Sequence, residues 1–516
     1  MTTHTKTLIF VIGTLLGVAI GEVSMYASEV GMFALILFVT QGVLYLWERK
    51  RKMISDVVDI TYHFSFPLIT ALFCFGLFIG VVRVQLVEEK TIFTCESSCT
   101  FDAKIISSPE TKNEYQIFNI RPLVATSEMY DVQVRTPLYP KYKIGETLSV
   151  GGKITIPSII MPHEDNSGFD YASYLRTKNV GSEIMFPHIE VIDTEAKTLT
   201  DILGRLKENF VMRIDRYASS PESSLATGML FGATSMSKEL LQTFRASGLS
   251  HIIVLSGFNI VIVIATILFI LSFLPLVLRI TFASISVILF VMMVGGSPSV
   301  VRATLMAFIA LLAMLVGRLY VAKQALLISL FAIIMYEPHA LINDVSLHLS
   351  FLATMGLVYF SEPLEIFFKK YFSRVSIVSL REIFITTLAA YFATLPYVMF
   401  TFGKVSMYAL IANILVVPLV PIAMLLSFMV VLSSYVSETL SLVISFIDST
   451  LVSFIIWVAL TIERLPFSMV VITVSFWGMC LTYLFIFLCA KYLFKKTINE
   501  TRVTTENGNL TDIISY

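Results

Sequence analysis

Apolar runs long enough to cross a lipid bilayer dominate this chain, and they leave it few folds. Hydrocarbon offers no water to backbone N–H and C=O groups, so a crossing segment must be a helix or part of a closed barrel. Three runs open the sequence, at 8–26, 32–47 and 66–84. Nine more follow near 249–274, 276–294, 300–317, 324–336, 345–361, 383–400, 405–432, 439–462 and 468–490. Of the 516 residues 56% are hydrophobic and 14% charged, whereas a water-soluble domain carries about a quarter charged residues. The expected fold is a polytopic α-helical membrane protein of about twelve transmembrane helices. The run at 8–20 has Lys6 before it and small residues after it, as a secretory signal does. A second apolar run follows within a short turn, so it reads as a retained helix. The run at 324–336 is short and should be bent, tilted or buried in protein.

Net charge is +0 and says nothing about a partner, but the placement of charge does. The densest basic cluster is Trp47-Glu48-Arg49-Lys50-Arg51-Lys52, and short basic loops stay in the cytoplasm. The N-terminus is then inside and the third run ends outside. Alternation through the later spans puts Arg279, the turn 318–323, the segment 369–381 and the tail 491–496 inside, and all four are basic. Both termini are expected in the cytoplasm, with the chain in the inner membrane.

Between 88 and 200 the pattern changes to short alternating runs at 103–107, 115–122, 130–135 and 147–156, bounded by Pro, Gly, Asn and Asp. These are strand and turn signals. A small all-β barrel or sandwich of about five strands fits, and the topology places it outside. Cys95 and Cys99 lie in this polar stretch, in an oxidising compartment, and are expected to form a disulfide. Cys74, Cys480 and Cys489 sit in apolar runs as packed side chains. From Asp201 to Tyr217 the residues Leu203, Leu206, Phe210, Ile214 and Tyr217 share one helical face. Such a helix either lies along the outer membrane surface or packs on the strand domain. The expected domains are a three-helix region (1–87), the β domain (88–200), the amphipathic surface helix (201–224), a large membrane block (225–494) and a cytoplasmic tail (495–516). The apolar piece 225–231 is too short to span.

Four polar places interrupt the large block, each costly in lipid unless paired or wet. The run 248–260 carries His251, Ser256, Gly257 and Asn259 between small-residue breaks; helix packing explains it as well as function does. Gly295-Gly296-Ser297-Pro298 leads into a helix whose first turns hold Arg302. A helix N-terminus beside a guanidinium can receive an anion, and snorkelling is the alternative. Asp344, Ser346, His348 and Ser350 form the third place, where Asp344 serves as a helix cap if nothing more. Ser441, Ser445, Asp448, Ser449 and Ser453 repeat at helical spacing in the fourth. They line either a pore or a buried polar contact.

Taken together these segments resemble the ComEC competence family, the inner-membrane DNA-uptake channel of naturally transformable bacteria. The segment 167–176 is similar to the close of that family's external OB-fold domain. The runs 248–260, 299–306 and 344–352 resemble three signatures of its competence domain, in order. Asn259 and His348 stand where members often carry His and Gln. The metallo-β-lactamase-like domain that many members add is not expected, since the seven His are scattered.

The resemblance implies import of single-stranded DNA from outside to cytoplasm, with an OB-like external domain. Basic and aromatic residues there would meet DNA: Lys104, Lys112, Tyr115, Phe118, Arg121, Arg135, Lys141 and Lys143. Implied partners are an external DNA receptor, a separate cytoplasmic motor ATPase or helicase, since no phosphate-binding loop is present, and a separate nuclease. No cofactor, metal site or catalytic residue is expected. An intramembrane hydrolase lacks a Ser/His/Asp elbow, and a small-molecule transporter would show internal repeats.

Overall fold

The computed structural model describes residues 3–23, 30–41, 66–86, 90–112, 115–123, 129–157, 171–195, 198–232, 236–253, 255, 257–369 and 378–489. Three helices come first, α1 (Thr3–Val23), α2 (Val30–Gln41) and α3 (Phe66–Gln85). The strand domain holds β1 (Cys95–Ile105), β2 (Glu110–Lys112), β3 (Tyr115–Pro122), β4 (Asp131–Pro137), β5 (Thr147–Thr155), α4 (Tyr171–Thr177), β6 (Val180–Met185) and β7 (His188–Asp193). Next come α5 (Leu199–Tyr217), α6 (Glu222–Phe231), α7 (Lys238–Ala246), α8 (Ser250–Ile253) and α9 (Gly257–Ile270). They are followed by α10 (Leu276–Val294), α11 (Pro298–Val316), α12 (Ala322–Tyr336), α13 (Ala340–Asn343), α14 (Val345–Lys369) and α15 (Val378–Thr401). The last elements are β8 (Lys404–Ser406), α16 (Ala409–Val416), α17 (Val420–Ser433), α18 (Glu438–Glu463), β9 (Met469–Val471) and α19 (Phe476–Cys489).

Among the described residues, seven helical segments are long and apolar enough to cross a membrane, fewer than the dozen expected. They are α1, α3, α10, α11, α15, the joined α16–α17 and α18. The apolar helices α2, α9, α12 and α19 are shorter. The basic cluster at 47–52, the start of the 167–176 segment, Ser256 and the tail from 491 lie outside the described residues.

The chain divides into two compact units. In the first (1–110, 114–206 and 260–348), α1 and α3 pack so closely that a methyl at Gly13, Gly17, Gly76 or Gly80 would run into a backbone carbonyl of the facing helix. These are paired small-x-x-x-small positions, which let helix backbones touch. At the ends of these helices Arg83 bonds the last carbonyls of α12, with Nη2 2.9 Å from the Tyr336 oxygen. Glu22 pairs with His339 at 2.6 Å. Three helix ends that the sequence puts on one side, those of α1, α3 and α12, are thus fastened together.

The strand domain in this unit is a small β-barrel. Hydrogen bonding runs β1-β3-β4-β6-β5 and returns to β1, with β2 added to β3 and β7 to β5. The β4–β6 pair is parallel and the other pairs in the ring are antiparallel. Closure removes exposed edges from the ring. Phe101, Ile105, Phe118, Ile120, Val134 and Leu148 are among the residues that fill it. The start of α5 docks here: Lys104 donates to Asp201 at 2.7 Å and the Thr198 N–H donates at 2.9 Å. Burial acts to raise the Asp201 carboxyl, but these hydrogen bonds prevail and hold it below the ordinary aspartate value.

A buried polar seam as candidate functional site

The second unit (111–113, 207–259 and 349–516) is built around α18. This 26-residue helix has no glycine or proline, and the Ser437 hydroxyl accepts from its first turn at Leu440 N. One face is polar and buried: Ser441, Ser445 and Asp448 are at most 3% exposed, while Leu442, Val443, Phe446 and Ile447 are exposed. The buried groups meet protein. Ser441 lies 2.9 Å from the Ser433 hydroxyl, and Ser445 donates to the Tyr217 carbonyl at 2.8 Å. Ser427, on α17, donates to Asp448 Oδ2 at 2.8 Å. Ser453 donates to Glu222 of α6 at 2.7 Å. Asp448 Oδ1 is also buried but receives no hydrogen bond. Ser449 is half-buried beside this seam.

The segment preceding the block runs the length of α18. Arg213 donates to the Ser434 hydroxyl at 2.9 Å and lies 3.7 Å over the Tyr435 ring, at the helix start. Tyr217 reaches Ser445, Glu222 reaches Ser453, and Thr243 donates to Glu463 at 2.8 Å at the far end. Between them α6, with Leu225 and Met229 fully enclosed, packs on both α17 and α18. The short apolar piece 225–231 is therefore an interior helix. The last turns of α5 and all of α7 lie at opposite ends of α18. The sequence reading put 201–217 on the outer surface and, by alternation, the 432–439 turn inside. Those two placements exclude each other, because Arg213 touches Ser434.

The other polar places resolve unevenly. Asn259, 4% exposed, donates to the Met229 carbonyl at 2.9 Å and ties the start of α9, which opens at Gly257, to α6. His251 falls on α8, where its ring bonds the Gly248 backbone. Gly248, at φ +76, is pressed against Ala409, so no side chain fits there. In the first unit Arg302 is buried in α11, with Nη1 3.5 Å from the Met306 sulfur. Asp344 caps α14, accepting from Leu347 N at 3.0 Å, as its bland reading held. His348 Nε2 lies 2.6 Å from the Leu341 carbonyl, and Ser346 and Ser350 are half-buried on α14.

A family model described as "Competence protein" matches residues 229–496, just over half of the chain, and takes in all four polar places. This chain belongs to the ComEC-type competence family. A curated relative, ComE operon protein 3 of Bacillus subtilis (strain 168), is 28% identical over 184 residues. That alignment covers 35% of this chain and spans 22% of the relative's length. No solved structure matches.

In this competence protein the barrel carries fewer free cations than its sequence offers. Phe118 is 1% exposed in the barrel core and cannot stack a base. It shares the inward face of β3 with buried Gln116 and Ile120, while half-buried Tyr115 lies on the opposite face. Lys104 is held by Asp201, Arg121 by Asp131 at 2.8 Å, and Arg135 by Glu183 at 3.2 Å. Lys112 falls in β2. Lys141 and Lys143 are exposed between β4 and β5, and Lys141 lies 6.0 Å over the exposed ring of Tyr139, which the sequence reading missed. Cys95 and Cys99 lie on an irregular stretch of β1, packed against the core and within hydrogen-bond reach of each other. Burial and the neighbouring Cys95 thiol push the Cys99 thiol upward.

Proposed function

We propose that this chain forms the inner-membrane passage for single-stranded DNA entering the cytoplasm during natural transformation. The observation that carries the reading is the competence-family match over 229–496. The closed five-stranded ring with one parallel pair supports an OB-like external barrel. Its exposed Tyr139, Lys141 and Lys143 offer a stacking ring and free charges to a strand handed over by an external receptor. A separate cytoplasmic motor pulls the strand, and a separate nuclease removes its complement. Arg302, beyond the Gly295–Pro298 turn, offers a weak phosphate contact. In the oxidising compartment Cys95 and Cys99 join, which loss of two hydrogen masses from the unreduced protein would register.

Uptake of labelled DNA into the cytoplasm of a deletion strain tests the reading. The wild-type chain should restore uptake, Arg302→Ala should lower it at unchanged membrane level, and restoration of nothing refutes it. A path along α18, unlike a sealed seam, requires cysteine at 445 and 449 to react with a water-soluble thiol reagent while 447 and 451 do not. Equal reactivity on both faces, or none, removes α18 from the path. Both termini are placed in the cytoplasm on the basic turns. Labelling of the Ser434 turn from outside the cell would overturn that for the second unit and return the end of α5 to the outer surface.

A further inference from the structure

Asp448 is a buried acid of the second unit whose surroundings leave one carboxyl oxygen without a donor. It sits on a helix apolar and long enough to span a membrane, 3% exposed, with one oxygen bonded to Ser427 and the other buried without a donor. An ionised carboxylate needs several donors or a cation to survive away from water. The elements packed on α18 supply neither. Neither α16 nor α17 has a charged residue, and α6 brings only Glu222, itself an acid that accepts from Ser453. On α7 the charges are Lys238, Glu239 and Arg245, but Thr243 fixes that helix at the Glu463 end. On α5, Arg213 is committed at Ser434, Asp215 and Arg216 are exposed, and Lys207 and Glu208 lie further back. Glu438 and Glu463 stand at the two ends of α18 itself.

We propose that Asp448 is a proton-binding site within the membrane block. Its carboxylate takes a proton from hydronium, forming the Oδ1–H bond and releasing water, and the reverse step returns the proton. A metal cation would need a shell of oxygens, whereas one hydroxyl is the carboxyl's only hydrogen-bond partner among the described residues. A proton needs one lone pair, and Oδ1 offers it. Against this face packs α6, which ends at Gly232. Non-helical backbone at membrane depth is tolerated where it is enclosed by protein or lines water.

Infrared spectra of the full chain in lipid nanodiscs, with aspartate carboxyls carbon-13 labelled, test this. At neutral pH the wild type should show a protonated-carboxyl band that moves with the label, shifts in heavy water, and is lost in Asp448→Asn. Should that variant fail to fold, Ser427→Ala keeps the carboxyl, removes its hydrogen bond, and must shift the same band. Absence of the band at neutral pH overturns the proposal, as does a band unmoved by Ser427→Ala. A band that never shifts in heavy water makes Asp448 a sealed structural acid and equally overturns it.

Discussion

The α1–α3 pair and the α6–α17–α18 cluster solve one problem by opposite means. Helices in lipid gain little from hiding apolar surface from each other, so contact must come from close fit or polar bonds. In α1–α3 the fit comes from what is missing: Gly13, Gly17, Gly76 and Gly80 bring backbone against backbone. In α6–α17–α18 it comes from hydroxyls and carboxyls that bond across, Ser427 to Asp448 and Ser453 to Glu222. A glycine contact is inert to chemistry and intolerant of bulk. A polar seam tolerates shape better but depends on every partner, and it alone brings a titratable group into the membrane.

The largest expected effect breaks the first kind of contact. Gly80→Leu would drive a side chain into the Thr14 carbonyl, and overpacking costs about 1–3 kcal/mol, more where backbone must move. Membrane-resident folded protein should fall several-fold, and a level equal to wild type would show that the α1–α3 contact is dispensable. In the seam, Asp448→Ala strands the Ser427 hydroxyl and should cost about 1–3 kcal/mol, seen as a lower unfolding temperature, while Asp448→Asn stays near wild type. If both variants behave alike, the seam is held by shape and the contrast collapses. Asn259→Ala leaves the Met229 carbonyl without its donor and should cost about 1 kcal/mol, the lower end of the same range.

The smallest effect separates the membrane seam from a water-facing ion pair. Asp201 is held below its ordinary value, so its contribution is complete above the unfolded aspartate value of about 3.9 and fades as pH falls through the folded one. Lys104 is partly exposed, which limits the pair to about 1 kcal/mol or less. Unfolding midpoints below about pH 4 should converge between wild type and Lys104→Ala, having differed at pH 7. A constant difference across that range would mean that Lys104 acts by packing alone.

Much of this was legible in the sequence, though contact partners were not. Strand alternation gave β3 and β5 within a residue or so, yet the same alternation, followed through Gln116 and Ile120, would have sent Phe118 inward. The serine spacing on α18 identified its buried polar face. Periodicity names a face but not what covers it, and here the covering atoms lie more than two hundred residues earlier, at Tyr217 and Glu222. The interior position of α6 was hidden because its ten residues are too few to span a membrane. The glycine pairs on α1 and α3 were visible at their spacing of four and carried a signal that hydropathy averages away.

The ribbon of β8 and β9 pairs Lys404–Ser406 with Met469–Val471. It clasps the chain just before α16 to the chain just after α18, closing a loop around all three helices. Within that loop α18 has no internal hinge, lacking glycine and proline throughout. Mechanically it is a stiff rod gripped near its Glu463 end, with Thr243 beside the grip and Arg213 at the free end. A tilt there cannot be absorbed by bending along the way, so a push on the Ser434 turn reaches Glu463 as displacement of the whole bar.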